Sequence, residues 1–394
     1  MPGNDDQDAR NHDVMSRNTT SHDSLNQDAL RPDALSHGGQ SLRRIRVLVV
    51  DDSAFMRTAL SRMIASEPDL EVVAAAGNGN EALERIAALD PDVVTLDVEM
   101  PGINGLETLR EIMSRYPRPV IMVSSVTEAD AEATLTALSA GAFDYIPKQL
   151  AAASLDILHI KPDLISKIRA AAQSRRASSV LAKKPSRSVH REEPDIDLPS
   201  AEIVAIGTST GGPKALQQIL PLLPRDLAAP ILIVQHMPAG FTAPFAQLLN
   251  SLCSVAVREA THGESIQNGV VYIAPAGIHM TVDRLSASRA ALFLDVNPAN
   301  STHCPSVDVM MKSVAKAFGP SAMGIIMTGM GSDGVEGMKA IYRCGGFTLG
   351  QDESTCIVYG MPRACAEMSI LSRVVPLSRI PNQILQATHY RKRA

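Results

Sequence analysis

The stretch IVAIGTSTGGPKA, residues 203–215, decides the fold of the second half of the chain. An apolar run ends at Gly207, a turn rich in hydroxyl groups follows, and a proline then opens a candidate helix. A buried strand that turns sharply into a helix is the repeating unit of a parallel α/β sheet. The turn carries three hydroxyl side chains, Thr208, Ser209 and Thr210, where one would be enough to cap a helix.

Four interpretations of this turn compete. Gly207 and Gly212 have the spacing of a phosphate-binding loop, but Pro213 occupies the position of its lysine. A dinucleotide-binding fingerprint counted from Gly207 needs glycine where Ser209 stands. Two interpretations stay open: a capped helix with proline at its first position, and a nucleophile elbow of the form G-x-S-x-G at 207–211.

A nucleophilic serine needs a base and an orienting acid at neighbouring strand ends. His236 follows the apolar run APILIVQ, and Asp333 lies in a glycine-flanked loop after MGIIMTG. The chain order Ser…His…Asp differs from that of α/β-hydrolases, but a triad is defined by geometry and not by order. Three other histidines stay open as the base: His262, His279 and His303. Asp308 stays open as the acid or as a helix cap.

The first half of the chain places polar side chains after its apolar strands. Asp51 and Asp52 end the first strand, and Asp97 ends the third. Carboxyl ends of parallel strands meet at one edge of a sheet, where three carboxylates repel one another unless a hard cation such as Mg²⁺ joins them. With Ser124 and Lys148 at the ends of strands four and five, the pattern predicts a phosphoryl-transfer crevice. Helix capping explains one of these positions but not all five.

The alternation of apolar runs and helical patterns predicts two doubly wound parallel-sheet α/β domains joined by a linker. Polar composition predicts a disordered N-terminal tail, and a charged, Ser- and Pro-rich stretch predicts the linker. The expected segments are a tail at 1–44, a first domain at 45–165, a helix end and linker at 166–199, a second domain at 200–389 and a basic tail at 390–394.

Composition narrows the classes of function. The 37 basic and 42 acidic residues are close to balance, which argues against a nucleic-acid partner. No apolar run is long enough to span a bilayer, and the first residues lack the pattern of a signal peptide. The five cysteines lie without metal-ligand spacing and are typical of reduced thiols. We therefore expect a cytoplasmic protein, not inserted in a membrane and monomeric.

Four motifs of the first half, VLVVDDSAFMR, LDVEMPGINGLE, PVIMVSS and DYIPK, resemble the receiver domain of bacterial two-component response regulators. The resemblance implies a flavodoxin-like fold in which Asp97 accepts a phosphoryl group from a histidine kinase. It also implies Mg²⁺ bound by Asp51, Asp52 and Asp97.

The same resemblance implies that Ser124 and Lys148 sense the phosphoryl group and that Tyr145 is the aromatic side chain that moves with it. One departure concerns the residue after the lysine. Receivers usually carry proline there, but this chain has Gln149, with Pro147 before the lysine. The conformation of this loop is therefore left open.

Five motifs of the second half, AIGTSTGGPKAL, IVQHMPAGFT, GVVYIAPAGIHM, HCPSVDVMM and MTGMGSDGVEGM, resemble the chemotaxis protein-glutamate methylesterase family. The resemblance implies a catalytic triad of Ser209, His236 and Asp333. Oxyanion or substrate contacts are expected from the backbone after Ser209, at Thr210 and Gly211, and from Met330.

The implied activity is phosphorylation-activated hydrolysis of glutamyl methyl esters on methylated chemoreceptors, with deamidation of glutamines at the same site. No cofactor is expected for the hydrolysis itself. The linker suggests that the unphosphorylated receiver covers the triad. Two other classes stay open: a transcriptional regulator, and a scaffold with a degenerate site.

Overall fold

The computed structural model describes residues 43–125, 127–148, 160–181, 198–298 and 301–390. These residues belong to one compact unit. Nearly all of the expected N-terminal tail, residues 182–197 of the expected linker segment, Gln149 and nearly all of the basic C-terminal tail lie outside the described residues. Within these ranges, no helix combines the length and the apolar character needed to cross a bilayer.

Five parallel strands form the first sheet, in the order β2-β1-β3-β4-β5. The strands are β1 (Ile45–Val50), β2 (Leu70–Ala76), β3 (Val93–Asp97), β4 (Val120–Ser125) and β5 (Asp144–Lys148). The helices are α1 (Ala54–Ala65), α2 (Gly79–Leu89), α3 (Gly105–Arg115), α4 (Glu128–Ser139) and α5 (Lys161–Leu181). This order is the flavodoxin-like form of the doubly wound fold, and its strand order reverses between β1 and β3.

Local sequence explains these elements. The β-branched run of β1 is almost wholly buried, as expected for a central strand covered on both faces. Helix α3 begins with a capping box, in which Asn104 and Glu107 each accept a hydrogen bond from the other's backbone N–H. The polar residues at the ends of β1 and β3 lie at the carboxyl edge of the sheet.

Helix α5 is longer than the sequence pattern predicts. We expected SRRASSVL to begin the linker, but the helix continues through this segment to Leu181. Arg175 anchors the extension because its guanidinium donates to the Pro91 carbonyl and to the Asp90 carboxylate. These partners are more than 80 residues away in the chain, so local periodicity does not reveal them.

The second half holds nine strands and six helices among the described residues. The strands are β6 (Ile203–Thr208), β7 (Ile231–Gln235), β8 (Ala256–Glu259), β9 (Val270–Ile273), β10 (His279–Ser286), β11 (Arg289–Asp295), β12 (Ala322–Ile326), β13 (Phe347–Gln351) and β14 (Arg373–Val375). The helices are α6 (Gly212–Ile219), α7 (Thr242–Leu252), α8 (Val307–Phe318), α9 (Val335–Arg343), α10 (Met361–Glu367) and α11 (Ile380–Ala387). Seven strands make a parallel sheet in the order β14-β13-β12-β6-β7-β9-β8. The expected α/β class is confirmed for both halves.

One strand of the second half does not join the parallel sheet. The apolar run AALFLDV has the composition of a core strand of this sheet, but it belongs to β11, which pairs with β10 in a separate antiparallel hairpin. Only Ala287 and Ser288 separate the two strands. Two residues suffice for a tight antiparallel turn, whereas a parallel crossover needs a dozen or more.

Packing of α7 gives a test of the second core. Phe245 on this helix is fully buried, while Leu252 at its end is 48% exposed. We expect Phe245→Ala to lower the free energy of unfolding by about 3–5 kcal/mol, because a large side chain is removed from a close-packed core. The control Leu252→Ala should change it by roughly 0.5 kcal/mol or less. Equal effects of the two variants in urea unfolding would contradict this packing.

Candidate active site and phosphoacceptor site

The ends of β6 and β7 bring the candidate nucleophile and base to one edge of the second sheet. Thr208 and Gln235, the last residues of these strands, are paired in register. Ser209 and His236 each follow directly. The Gln235 amide ties the two positions together, because its Nε2 donates to the carbonyls of Ser209 at 3.0 Å and His236 at 2.9 Å.

The turn after β6 is an elbow and not a capped helix. Helix α6 has Gly211 at its N-cap, with a φ of +78° and no side-chain capping bond. A Cβ at Gly211 would approach Ile357 to 2.6 Å, so the position needs glycine for space as well as for conformation. The Thr208 hydroxyl donates to the Thr328 carbonyl at 2.9 Å. The helix-cap interpretation of the hydroxyl groups is therefore wrong, although a proline does open the helix.

His236 is paired with Asp333. Its Nε2 lies 2.8 Å from the Asp333 Oδ2. Because an ionised carboxylate can only accept, Nε2 carries the proton and Nδ1 holds the free lone pair. Nδ1 is buried and has no hydrogen-bond partner among the described residues. It is therefore the nitrogen of this ring that can act as a base.

Asp333 is held ionised by the N-terminus of α8. Ser306 Oγ and the Asp308 N–H donate to its Oδ1, and the Val307 N–H donates to its Oδ2 at 2.7 Å. Burial alone would raise the pKa of Asp333. The hydrogen bond and charge of His236, followed by these backbone donors, lower it to about 2. A helix N-terminus stabilises a carboxylate in this way.

Asp308, the alternative acid, has a different role. Its Oδ1 accepts from the N–H groups of Gly334 at 3.0 Å and Gly337 at 2.7 Å, at the start of α9. Asp333, just before α9, binds the start of α8, so the two carboxylates each hold the other's helix. Asp308 caps a helix, as one interpretation expected, but the helix is the neighbouring one. Ser306 is the N-cap of its own helix.

The three alternative bases are also placed. His262 bonds to Leu294 on the β10–β11 hairpin, away from the cavity that holds Ser209. His279 is buried and accepts from the Ser306 N–H. His303 lies against the ring of His236 and shares its cavity. Of the four histidines, His236 is the one paired with Asp333.

Some of the backbone N–H groups near Ser209 already have hydrogen-bond partners. The Ser209 N–H donates to Thr328, and the Gly212 N–H donates to Ser209. Among the described residues, the N–H groups of Thr210 and Gly211 have no hydrogen-bond partner. Met330 lines the same cavity as Ser209. Oxyanion roles for Thr210, Gly211 and Met330 stay predictions.

The first sheet gathers the expected acidic cluster. Carboxylate oxygens of Asp51, Asp52 and Asp97 lie within 4.8 Å of one another, a spacing that could hold a metal ion. Lys148 Nζ lies 2.7 Å from Asp97 and 3.0 Å from Asp51. Burial raises the pKa of Asp97 to about 6, against the opposing effect of Lys148. The oxygen-only donor set and its crowded negative charge fit a hard divalent cation.

The two other predicted sensing residues lie on the strands beside this cluster. Ser124 is buried at the end of β4 and accepts a hydrogen bond of 2.8 Å from the Thr134 hydroxyl. Tyr145 on β5 is buried and stacks on Phe241 of the second half, with ring centroids 4.9 Å apart. The residue expected to move with phosphorylation is therefore in direct contact with the domain that holds Ser209.

A cavity of about 510 Å³ lies where the two halves meet. Its lining from the second half includes Ser209, His236 and His303. Its lining from the first half comes from β5 and α5, including Asp163 and Lys167. Lys167 is held in place by its bond to the Tyr145 carbonyl at 2.7 Å. The candidate nucleophile thus faces a cleft that the first half partly encloses.

Sequence reasoning missed Ser306, Gln235 and Phe241. A signal existed for Ser306, because a serine directly before the apolar pattern VDVMM is a helix-start signature. Gln235 and Phe241 gave no signal, since a polar residue at a strand end and an aromatic residue in a loop are both common.

This geometry is typical of a class: a receiver-type domain with an acidic cluster, joined to an α/β domain with a candidate Ser–His–Asp site. Residues 47–158 match the family described as response regulator receiver domain, and residues 204–384 match the family described as CheB methylesterase. The chain is 45% identical to "protein-glutamate methylesterase/protein-glutamine glutaminase 1" of Oleidesulfovibrio alaskensis, over 88% of this chain and 100% of the relative. A Geobacillus kaustophilus relative of the same enzyme name is also 45% identical, over 88% of this chain and 99% of its own. The chain belongs to the protein-glutamate methylesterase/protein-glutamine glutaminase family, which confirms the expected enzyme class.

The His236–Asp333 pair can be tested against its alternative. We expect Asp333→Asn to lower the turnover rate of ester hydrolysis roughly 10⁴-fold. Both carboxylate oxygens of Asp333 accept hydrogen bonds, and the amide nitrogen of asparagine would replace one of these acceptors with a donor. Asp308→Asn keeps an oxygen that can accept both glycine N–H groups, so we expect activity within about threefold of wild type. A larger loss in the Asp308 variant, with both proteins folded by circular dichroism, would reverse the assignment of the acid.

Proposed function

We propose that this protein hydrolyses γ-glutamyl methyl esters on chemoreceptors in the cytoplasm, and that phosphorylation of Asp97 by a histidine kinase controls the reaction. Family membership and the names of the relatives support the methylesterase and glutaminase activities. The observation that carries the proposal is the 2.8 Å His236–Asp333 bond beside Ser209 in one cavity. Neither the ester hydrolysis nor the deamidation needs a metal ion.

Acylation begins at Ser209. Its Oγ attacks the ester carbonyl while His236 Nδ1 takes the hydroxyl proton, and the negative charge of Asp333 stabilises the imidazolium that forms. The N–H groups of Thr210 and Gly211, which have no partner among the described residues, would donate to the oxyanion, with the Met330 backbone as a further contact. The tetrahedral intermediate collapses when His236 returns the proton to the methoxy oxygen, and methanol leaves.

Deacylation repeats these steps with water. His236 Nδ1 takes a proton from water, the hydroxide attacks the acyl carbonyl, and the proton passes to Ser209 Oγ as the glutamate is released. A glutamine side chain passes through a similar tetrahedral intermediate, with ammonia as the leaving group. The same residues therefore serve the glutaminase activity.

Phosphorylation belongs to the first half. Asp51, Asp52 and Asp97 would hold Mg²⁺, which supplies positive charge to the phosphoryl oxygens when bound. The Asp97 carboxylate is the nucleophile toward the phosphoryl group. Lys148 forms an ion pair with Asp97 and would bind the phosphoryl oxygens. A carboxylate attacks only when it is ionised, so the deprotonated form of Asp97 is the reactive one.

Regulation follows from how the halves meet. The first half encloses part of the cleft in front of Ser209, and a helical receptor segment needs that space. Tyr145 joins the phosphoacceptor domain to Phe241 at the interface, and Ser139 on α4 donates to Gln217 on α6 at 2.8 Å. We propose that phosphorylation moves Tyr145, loosens these contacts and opens the cleft to the receptor.

Methanol release from methylated receptor membranes tests the proposal. We expect release by the wild-type protein to rise when acetyl phosphate and Mg²⁺ are added, because both are needed to phosphorylate Asp97. Ser209→Ala should abolish release, and Asp97→Ala should keep the basal rate but lose the stimulation. Release that survives in the Ser209 variant would disprove the nucleophile. A receptor-sized substrate cleaved equally fast by phosphorylated wild type and by Asp97→Ala would disprove the regulation.

A further inference from the structure

The ring of His236 has a second neighbour besides Asp333. The imidazole of His303 stacks on it, with centroids 4.2 Å apart and planes inclined by 16°. His303 belongs to the loop directly before α8, the helix whose N-terminus binds Asp333. One loop and helix therefore contact the His236–Asp333 pair twice, at the carboxylate and at the face of the imidazole.

The surroundings of His303 favour its neutral form. Burial lowers its pKa, and the charge of His236 lowers it further, while Asp333 and Asp163 act in the opposite direction. Asp163 comes from α5 of the first half, and the other two groups come from the second half. A neutral imidazole presents an electron-rich face, and a cation that forms over such a face is stabilised.

His303 is not placed to act as the base itself. Among the described residues it accepts or donates no hydrogen bond to a carboxylate, whereas His236 has the bond to Asp333. Without an orienting acid, nothing holds a histidine base in the required tautomer or stabilises its charged form. Stacking is therefore the contact through which His303 can act on the reaction.

We propose that His303 is a positioning residue: its ring holds the imidazole of His236 in the plane of the Asp333 bond and stabilises the imidazolium that forms as Ser209 attacks. This inference rests on the roles proposed above for Ser209 and His236. Its effect is greatest in the transition state, where the imidazolium of His236 forms. It should therefore change turnover more than substrate binding.

Two substitutions of similar size separate the ring face from the nitrogen atoms. His303→Phe keeps an aromatic face and removes both nitrogens, whereas His303→Leu fills the space without a ring. In steady-state methanol release with acetyl phosphate and Mg²⁺, we expect His303→Leu to lower kcat roughly 5- to 30-fold, the range of a partly desolvated cation–π contact. KM should stay within about twofold, and His303→Phe should restore kcat to within about threefold of wild type.

His262→Leu is the matched control. His262 also contacts an aromatic ring, that of Phe293, with centroids 5.7 Å apart, but it lies outside the cavity. Loss of this contact should leave kcat unchanged. If the leucine variant of His303 melts early, His303→Ala supplies the ring-free comparison, with thermal unfolding recorded for each protein.

Two results would overturn the inference. An unchanged kcat in His303→Leu would show that the stacked ring does not aid the reaction. A phenylalanine variant as slow as the leucine variant would show that the nitrogens of His303, and not its face, are required. Ser209→Ala, measured in parallel, distinguishes the two proposals. Activity in that variant would disprove Ser209 as the nucleophile. No activity in that variant, together with an unchanged kcat in His303→Leu, would disprove only the positioning role.

Discussion

The second domain depends on one interaction, the binding of the Asp333 carboxylate by the N-terminus of α8. The hydrogen bond from His236 and three donors from the start of this helix together keep the carboxylate ionised. An ionised Asp333 accepts from His236 Nε2 and so leaves Nδ1 as the base. Because His303 precedes the same helix, the position of α8 determines both the contact at the edge of the His236 imidazole and the contact at its face.

The same helix start explains why two carboxylates are buried side by side. Asp308 binds the N-terminus of α9 while Asp333, just before α9, binds the N-terminus of α8. Burial raises the pKa of Asp308, and the N–H group of Gly337 acts against this rise. Each charge is thus compensated by the helix of the other residue, which fixes α8 and α9 relative to each other. This mutual binding holds Asp333 at a fixed position beside His236.

Much of this site could be predicted because chemistry follows strand ends. Ser209, His236 and Asp97 each stand at or after an apolar run, and parallel strands bring such residues to one edge. The spacing of the residues alone does not decide between His236 and His303, since both are single histidines near predicted elements; the family resemblance is what implies His236. The choice depends on the contact with Asp333, which is 97 residues away. The hairpin of β10 and β11 was missed because AALFLDV has the composition of a core strand and only its two-residue turn excludes a parallel crossover.

The link between the halves is equally invisible in the sequence. Tyr145 was expected to respond to Asp97, but its stacking on Phe241 depends on how two separate sheets meet. The contact is direct packing between the two halves, and the proposed regulation depends on it.

The central claim is that Ser209 is an activated serine in a cleft that the first half partly encloses. Reaction of Ser209 with a small fluorophosphonate tests this claim most directly. The account predicts a single adduct on Ser209 by mass spectrometry, slow in the unphosphorylated protein, faster with acetyl phosphate and Mg²⁺, and nearly absent in His236→Ala. An adduct on another residue, or a rate on Ser209 that neither phosphorylation nor loss of His236 changes, would contradict the account.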